Sequence, residues 1–125
     1  MDRILIGVLT TLVTLSGVNA LRADNPVHGK ELFTEKCTVC HNAGKDAGNK
    51  IGPNLFGVIG RPAGSVASFN YSSAMKGAGI VWTEDKLAAY LAGPQRMIPG
   101  IRMTFAGFSN SSDAHDVASY LATLR

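Results

Sequence analysis

Two cysteines and a histidine in one short segment carry the clearest chemistry of this sequence. Cys37 and Cys40 are its only cysteines, two residues separate them, and His41 follows directly. Helical backbone brings both sulfurs to one side of a turn, where they can form thioether bonds with the two vinyl groups of haem. The adjacent imidazole can then bind the iron. The C-x-x-C-H segment therefore predicts covalent attachment of a c-type haem.

Two other kinds of site use similar residues. A redox-active dithiol also has the C-x-x-C spacing, but it follows a strand in a βαβ pattern, which is missing here. A zinc site needs four ligands, and outside the motif only His28, His115 and carboxylates could complete the set. Haem attachment is the favoured interpretation, and zinc and the dithiol are the alternatives.

The second axial ligand of the iron would come from another part of the chain. Met103 is far from the cysteines in sequence and lies in a proline-containing loop that can fold over the opposite face of a haem. Met75 and Met97 are interpreted as core-filling residues. A second histidine would give a bis-histidine centre, but we interpret His28 as a surface residue and His115 as a residue near a helix start.

Three helices are predicted to position these residues. Asn25 and Pro26 form an N-cap and first helical residue, and this first helix ends in the cysteine segment. The second helix is predicted to begin at Thr83, with acidic residues in its first turn, and to end at Gly93 and Pro94.

The last helix has the clearest periodicity in the chain. Ser111 or Ser112 is predicted to cap it, with Asp113 and Asp116 in its first turn. The apolar residues spaced i, i+3, i+4 and i+7 are Ala114, Val117, Ala118, Leu121 and Leu124. No strand-length alternation occurs in the long glycine- and proline-containing segments between the helices, so the predicted fold class is all-α.

The first 23 residues are typical of an export signal. One arginine precedes an uncharged, largely apolar stretch from Ile4 to Val18, and small residues follow. We predict a signal peptide over residues 1–20, with cleavage after Ala23 as the alternative, and a single domain over 24–125. A retained membrane anchor is disfavoured because the apolar stretch is shorter than the ~20 residues of a spanning helix.

Composition excludes several classes of protein. A chain of 125 residues is long enough for one domain, and two cysteines are too few for a disulfide-rich scaffold. The net charge of +3 comes without dense basic clusters, so nucleic acid is not an expected partner. Long loops leave little protein to fill a core, which indicates that a non-protein group fills it.

Several further motifs occur in one order along the chain. They are Gly29-x-x-x-Phe33, the C-T-V-C-H motif, the run IGPNLFGVIGR at 51–61, Tyr71, Trp82, Tyr90, and Ile98-Pro99-Gly100 before Met103. The order and the approximate spacing of these motifs resemble those of the class I cytochromes c, in particular the branch that includes mitochondrial cytochrome c and related bacterial carriers. The resemblance covers essentially all of the chain after the signal and implies a small cytochrome c fold. In that fold three main helices, short helices and long loops wrap around one haem.

The resemblance implies a role for each matching residue. Cys37 and Cys40 would form the thioethers, and His41 and Met103 would be the axial ligands. The Pro53 carbonyl would accept a hydrogen bond from the histidine ring.

Other matching residues would form the haem surroundings. Arg61, Tyr71 and Trp82 would hydrogen-bond or shield the propionates, and Tyr90 would lie beside the methionine sulfur. Met75 departs from the pattern, because many members of the family have asparagine there. Gly29, Phe33 and Tyr120 would form the contact of the first and last helices.

The implied function is electron transfer, not catalysis. We expect a soluble, monomeric, periplasmic carrier that moves single electrons between a quinol-oxidising cytochrome complex and a terminal oxidase or photosynthetic reaction centre. It would not insert into the membrane after signal removal. A dedicated acceptor or cytochrome subunit of a periplasmic dehydrogenase is the alternative, and peroxidase activity after Met103 dissociation is a weaker one. Exposed cations would face acidic patches on redox partners: Lys36, Lys45, Lys50, Arg96 and Arg102.

Overall fold

Five helices joined by long loops make up residues 23–125, the part of the chain that the computed structural model describes. Their bounds are Pro26–Lys36 (α1), Ser73–Lys76 (α2), Glu84–Ala92 (α3), Pro94–Met97 (α4) and Ser111–Ala122 (α5). Three main helices and two short ones agree with the all-α prediction. The predicted signal peptide lies outside the described residues and remains a prediction.

The start of α1 is the one predicted. Pro26 is its first residue, and the Asn25 side chain accepts hydrogen bonds from the backbone N–H groups of Val27 and His28. At the other end the chain continues as a turn, because the N–H groups of Cys40 and His41 both donate to the Cys37 carbonyl. The haem-attachment motif therefore lies in a hydrogen-bonded turn directly after the helix.

The predicted bounds of α3 are also confirmed. The Thr83 hydroxyl accepts a hydrogen bond from the Lys86 N–H, and the helix ends at Gly93. Pro94 was predicted only to end the preceding helix, and it is also the first residue of the short helix α4. The chain thus turns sharply after Gly93 and then leads into the loop that contains Met103.

The predicted cap of α5 was wrong by one residue. Asn110, not Ser111 or Ser112, is the N-cap, and its side-chain oxygen accepts hydrogen bonds from both the N–H and the hydroxyl of Ser112. Asn110 precedes both serines, and its side-chain oxygen already accepts from the Ser112 N–H, so the Ser112 hydroxyl donates to the cap and does not act as one.

Helix α5 packs against both α1 and α3. At the α1 contact Gly29 lies so close to α5 that a β-carbon there would be 1.9 Å from the Asp116 carbonyl oxygen. The rings of Phe33 and Tyr120 pack in the same contact with centroids 5.6 Å apart. Two helices that cross this closely need a glycine at the contact, which explains why Gly29 is part of the Gly29-x-x-x-Phe33 motif.

Asp116 has a structural role that its position in the sequence does not reveal. It was predicted to lie in the first turn of α5, which was wrong, because Asp116 lies in the second turn of the helix and its side chain is fully buried. One carboxylate oxygen accepts from the Asn25 N–H and the other lies 2.8 Å from His28 Nδ1. The half-exposed His28 therefore joins the start of α1 to α5 and lies outside the haem-sized cavity described below.

Among residues 23–125, none of the helices combines the length and the apolar character needed to cross a lipid bilayer.

Candidate functional site

A cavity of about 750 Å³ opens between the end of α1, the loops that follow it, α3 and the Met103 loop. Cofactor sites in proteins commonly have volumes of about 300–1,000 Å³. Most of the lining is apolar and includes Phe33, Leu55, Val58, Leu87, Leu91, Ile101, Phe105, Val117 and Leu121. The interior of the protein is thus built around a space large enough for a planar organic group.

All nine residues predicted for the site line this cavity: Cys37, Cys40, His41, Pro53, Arg61, Tyr71, Trp82, Tyr90 and Met103. Met75 lines it as well. Met97, His28 and His115 do not, so among the alternative axial ligands only Met75 shares the cavity with Met103.

The two cysteines both line the cavity, and no disulfide joins them. Burial, with a smaller effect of nearby Cys40, raises the pKa of Cys37 to about 11. A thiol with this pKa is protonated at neutral pH. Within residues 23–125, the only cluster of histidine, cysteine and acidic side chains that converges as metal ligands do is His28, Asp113 and Asp116. The motif therefore fits haem attachment better than a zinc site.

The backbone around His41 fixes its ring. Nδ1 lies 2.8 Å from the Pro53 carbonyl oxygen, the contact that the family resemblance implies. A carbonyl can only accept, so Nδ1 carries the proton and the lone pair of Nε2 is left for a metal. Gly52 covers the ring so closely that a β-carbon there would be 2.2 Å from His41 Cε1.

The surroundings of His41 also keep it neutral. Burial lowers the pKa of its imidazole, and the charges of Arg61 and Lys50 lower it further, while the hydrogen bond to Pro53 partly opposes them. Since iron binds the neutral ring, the protonation state and the orientation of His41 both suit an axial ligand.

Polar side chains collect at one side of the cavity. The Arg61 guanidinium donates to the carbonyl oxygens of Asn54 at 3.0 Å and Phe56 at 3.4 Å, which holds its plane against the cavity wall. The Tyr71 hydroxyl accepts from the Val66 N–H, so its own proton is left to donate. A carboxylate placed here would meet a fixed cation and a phenol donor.

Two aromatic rings form part of the cavity lining. Trp82 and Tyr90 are both buried, with ring centroids 5.0 Å apart. Burial raises the pKa of Tyr90 to about 12, so its hydroxyl stays protonated at neutral pH. Met103 is half-buried and adds a thioether to the cavity lining.

The mouth of the cavity combines apolar and cationic side chains. Val39 and Ile51 are 73% and 75% exposed and both belong to the lining. Lys36 and Arg102 line the cavity too, and the Lys50 ammonium donates to the Thr38 carbonyl beside it. Lys45 lies instead at a second, smaller cavity that Arg61 also lines. The predicted cations are all exposed, but only some of them flank the opening.

Several residues of the site were missed by sequence reasoning. Gly52, Leu55 and Val58 fall in the conspicuous run at 51–61, so a signal for them existed. No pattern marked Gln95, whose side-chain amide donates to the carbonyl oxygens of Ile101 and Met103.

Comparison with known proteins agrees with this geometry. The model of the Cytochrome c family matches residues 26–125. Cytochrome c of Stellaria longipes is 45% identical over 93 residues, which cover 74% of this chain and 86% of that protein. Cytochrome c2 of Rhodomicrobium vannielii is 42% identical over 105 residues, covering 84% of this chain and 83% of that one. The solved structure of cytochrome cH from Methylobacterium extorquens superposes with a TM-score of 0.73 at 34% identity, covering 79% of this chain and 98% of that chain.

Proposed function

The chain belongs to the cytochrome c family, and from this premise we propose that it is a soluble periplasmic carrier of single electrons with His41 and Met103 as axial ligands. As a member of the family it is an electron-transfer protein and not an enzyme, and its cofactor is a covalently bound haem c. The site residues, the compartment and the partners are the proposed part.

One observation carries the proposal: two cysteines that no disulfide joins, an oriented neutral imidazole and a methionine thioether all line one apolar cavity. When bound, haem c supplies a one-electron iron couple. Cys37 and Cys40 would tether it. His41 Nε2 and Met103 Sδ would both bind its iron, so that no open site would remain for a substrate.

The remaining lining residues would set how easily the site is reduced. Arg61 and Tyr71 would bind the propionates, whose charges would otherwise be costly to bury. An apolar wall that excludes water and a soft methionine ligand both favour the reduced state. The result would be a carrier with a positive potential.

The mouth of the cavity suits a brief encounter with another redox protein. Val39 and Ile51 offer an apolar contact beside the tethering cysteines, and Lys36, Lys50 and Arg102 surround it with positive charge. Such a surface attracts an acidic partner through long-range charge and holds it through a small dry contact. We therefore propose acidic docking patches on the donor and the acceptor.

The signal-like residues 1–20 favour export, and in the periplasm such a carrier would connect a quinol-oxidising cytochrome complex with a terminal oxidase or a photosynthetic reaction centre. Exposed cations at the docking surface suit two successive partners, because steering raises the association rate without requiring a long-lived complex.

The dependence of the reaction on salt tests this function. Ferric protein is mixed with membranes that contain a quinol-oxidising complex and its quinol, and the rate of reduction is measured at rising ionic strength. We expect the second-order rate to fall with salt, and to fall severalfold in Lys36→Gln and Lys50→Gln at low salt. Lys86→Gln, on the exposed start of α3, is the matched control and should react as the wild type does. A rate that does not change with salt, or equal losses in all three variants, would contradict the proposed docking surface.

A further inference from the structure

The loop that leads to Met103 is held by a side chain from the short helix before it. Gln95 Nε2 donates to the carbonyl oxygen of Ile101 at 2.9 Å and to that of Met103 at 3.3 Å. Gln95 itself is exposed, and both of its donors point to one loop. Its amide thus closes a bridge between α4 and the backbone of the methionine.

Other contacts hold the same loop in different ways. Ile98 and Ile101 are buried in the core, and Gly100 between them adopts a φ of 92°, which favours glycine. Arg102 Nη1 donates to the Asn70 carbonyl at 3.1 Å, which ties the loop to the segment before α2. The Gln95 bridge is the one that reaches the backbone carbonyl of Met103 itself.

We propose that Gln95 is a positioning residue that keeps the Met103 loop closed and so limits how often the methionine sulfur leaves the haem iron. The inference rests on the proposed ligation by Met103. It adds to the ligand, Met103, a second residue, Gln95, that controls how often Met103 is displaced.

The chemistry of the amide explains the choice of residue. Both acceptors are carbonyl oxygens, so the bridge needs a donor with two N–H groups, which glutamine has and glutamate lacks. Glutamate has the same length and shape, but its carboxylate oxygens would face carbonyl oxygens and repel them. Loss of one such hydrogen bond changes a local opening equilibrium by about two- to tenfold.

Imidazole exchange into the ferric holoprotein measures the opening. At saturating imidazole the rate of displacement equals the rate at which Met103 leaves, and visible absorbance follows it. We expect Gln95→Glu to raise this limiting rate about two- to tenfold, and Gln95→Lys, which restores a donor of similar reach, to return it close to the wild-type rate. Arg96→Gln is the control, since Arg96 is exposed on the same helix and makes no hydrogen bond to the loop in the described part of the chain.

Hydrogen exchange of the loop amides gives a second reading that does not depend on ligand binding. In Gln95→Glu the amides of residues 101–105 should exchange faster, and those of α1 and α5 should not change.

The proposal is overturned if imidazole displaces Met103 in Gln95→Glu at the wild-type rate, or if Arg96→Gln accelerates this displacement equally. Met103→Ala separates the two claims. If its spectrum equals that of the wild type, the ligand assignment fails; if its spectrum changes while Gln95→Glu behaves as the wild type, only the role of Gln95 fails.

Discussion

Backbone groups orient the His41 ring so that Nε2 can bind a metal. The Pro53 carbonyl accepts a hydrogen bond from Nδ1–H, and Gly52 lies so close to the ring that a side chain at this position would collide with it. Both groups belong to the turn that follows Ile51, whose Gly52 N–H donates to the Cys40 carbonyl. The glycine and proline of the run at 51–61 therefore determine the tautomer and the orientation of the neighbouring motif histidine.

The proposed second ligand is tested by Met103→Ala. We expect the variant to lose the absorption band between methionine sulfur and ferric iron, and its potential to fall by on the order of 0.2 V, since axial ligands alone shift haem potentials over about 0.8 V. Met97→Ala is the matched control, because Met97 lies outside the cavity lining. Retention of the band and the potential in Met103→Ala would show that another residue, Met75 first of all, binds the iron.

The buried phenol of Tyr90 gives a prediction for alkaline pH. Its pKa in the folded protein is about 12 instead of 10, so between these values the unfolded chain loses a proton that the folded protein keeps. The free energy of unfolding should therefore be unaffected by this group below pH 10 and fall by about 2 kcal/mol as the pH approaches 12. Urea unfolding of wild type and Tyr90→Phe at a series of pH values measures it. Parallel profiles for the two proteins would contradict the burial of this hydroxyl.

At the scale of the elements, the contact of α1 with α5 holds the two ends of the domain together. Gly29 permits the close crossing, Phe33 and Tyr120 fill its side, and Asp116 bonds the start of α1 from within α5. Because the cysteine motif follows α1 directly, this contact also places the thiols against the cavity.

Gly29→Ala tests that contact. In an ordinary helix this change stabilises by about 1 kcal/mol, but here the new β-carbon would meet the Asp116 carbonyl at 1.9 Å. We expect the free energy of unfolding in urea to fall by about 3 kcal/mol. Gly77→Ala is the control, since its φ of −88° suits alanine and its β-carbon would be 3.3 Å from the Ser73 carbonyl oxygen, a tight contact that a shift of a few tenths of an ångström relieves. A neutral or stabilising effect of Gly29→Ala would contradict the observed helix crossing.

The main helices could be predicted because local signals set their ends. Asn25 with Pro26, and Thr83 with the acidic residues after it, have the same role in the sequence and in the structure. The start of α5 was ambiguous because three adjacent residues can each cap a helix, and only the geometry selects Asn110. Asp116 was misjudged because its partners, Asn25 and His28, are about 90 positions away in sequence.

The site was predictable to the same extent. The spacing of Cys37, Cys40 and His41 is a local signal that predicts haem attachment. Met103 was preferred over Met75 as the second ligand because of its position in a loop and because of the family resemblance. Both methionines line the cavity, so spacing alone does not separate them. Gln95 gave no signal at all, since an exposed glutamine in a four-residue helix has no pattern until its acceptors are known.

For the whole molecule, the cavity explains the small core. Long loops and short helices leave a space of about 750 Å³ that protein atoms do not fill, and apolar side chains from α1, α3 and α5 face it. In a small domain such a space would be costly if it stayed empty or wet. A covalently held haem therefore completes the core as well as the electron-transfer site, which is why attachment and folding should be coupled.

The proposed function depends on one covalent haem bound between His41 and Met103. The most direct measurement is the intact mass of the purified protein under denaturing conditions, taken with its visible spectrum in the native state. We predict the mass of the chain without residues 1–20, or without residues 1–23, plus one haem, and a low-spin spectrum with histidine and methionine ligands. A mass without haem, or a covalent haem with a high-spin spectrum, would contradict the account.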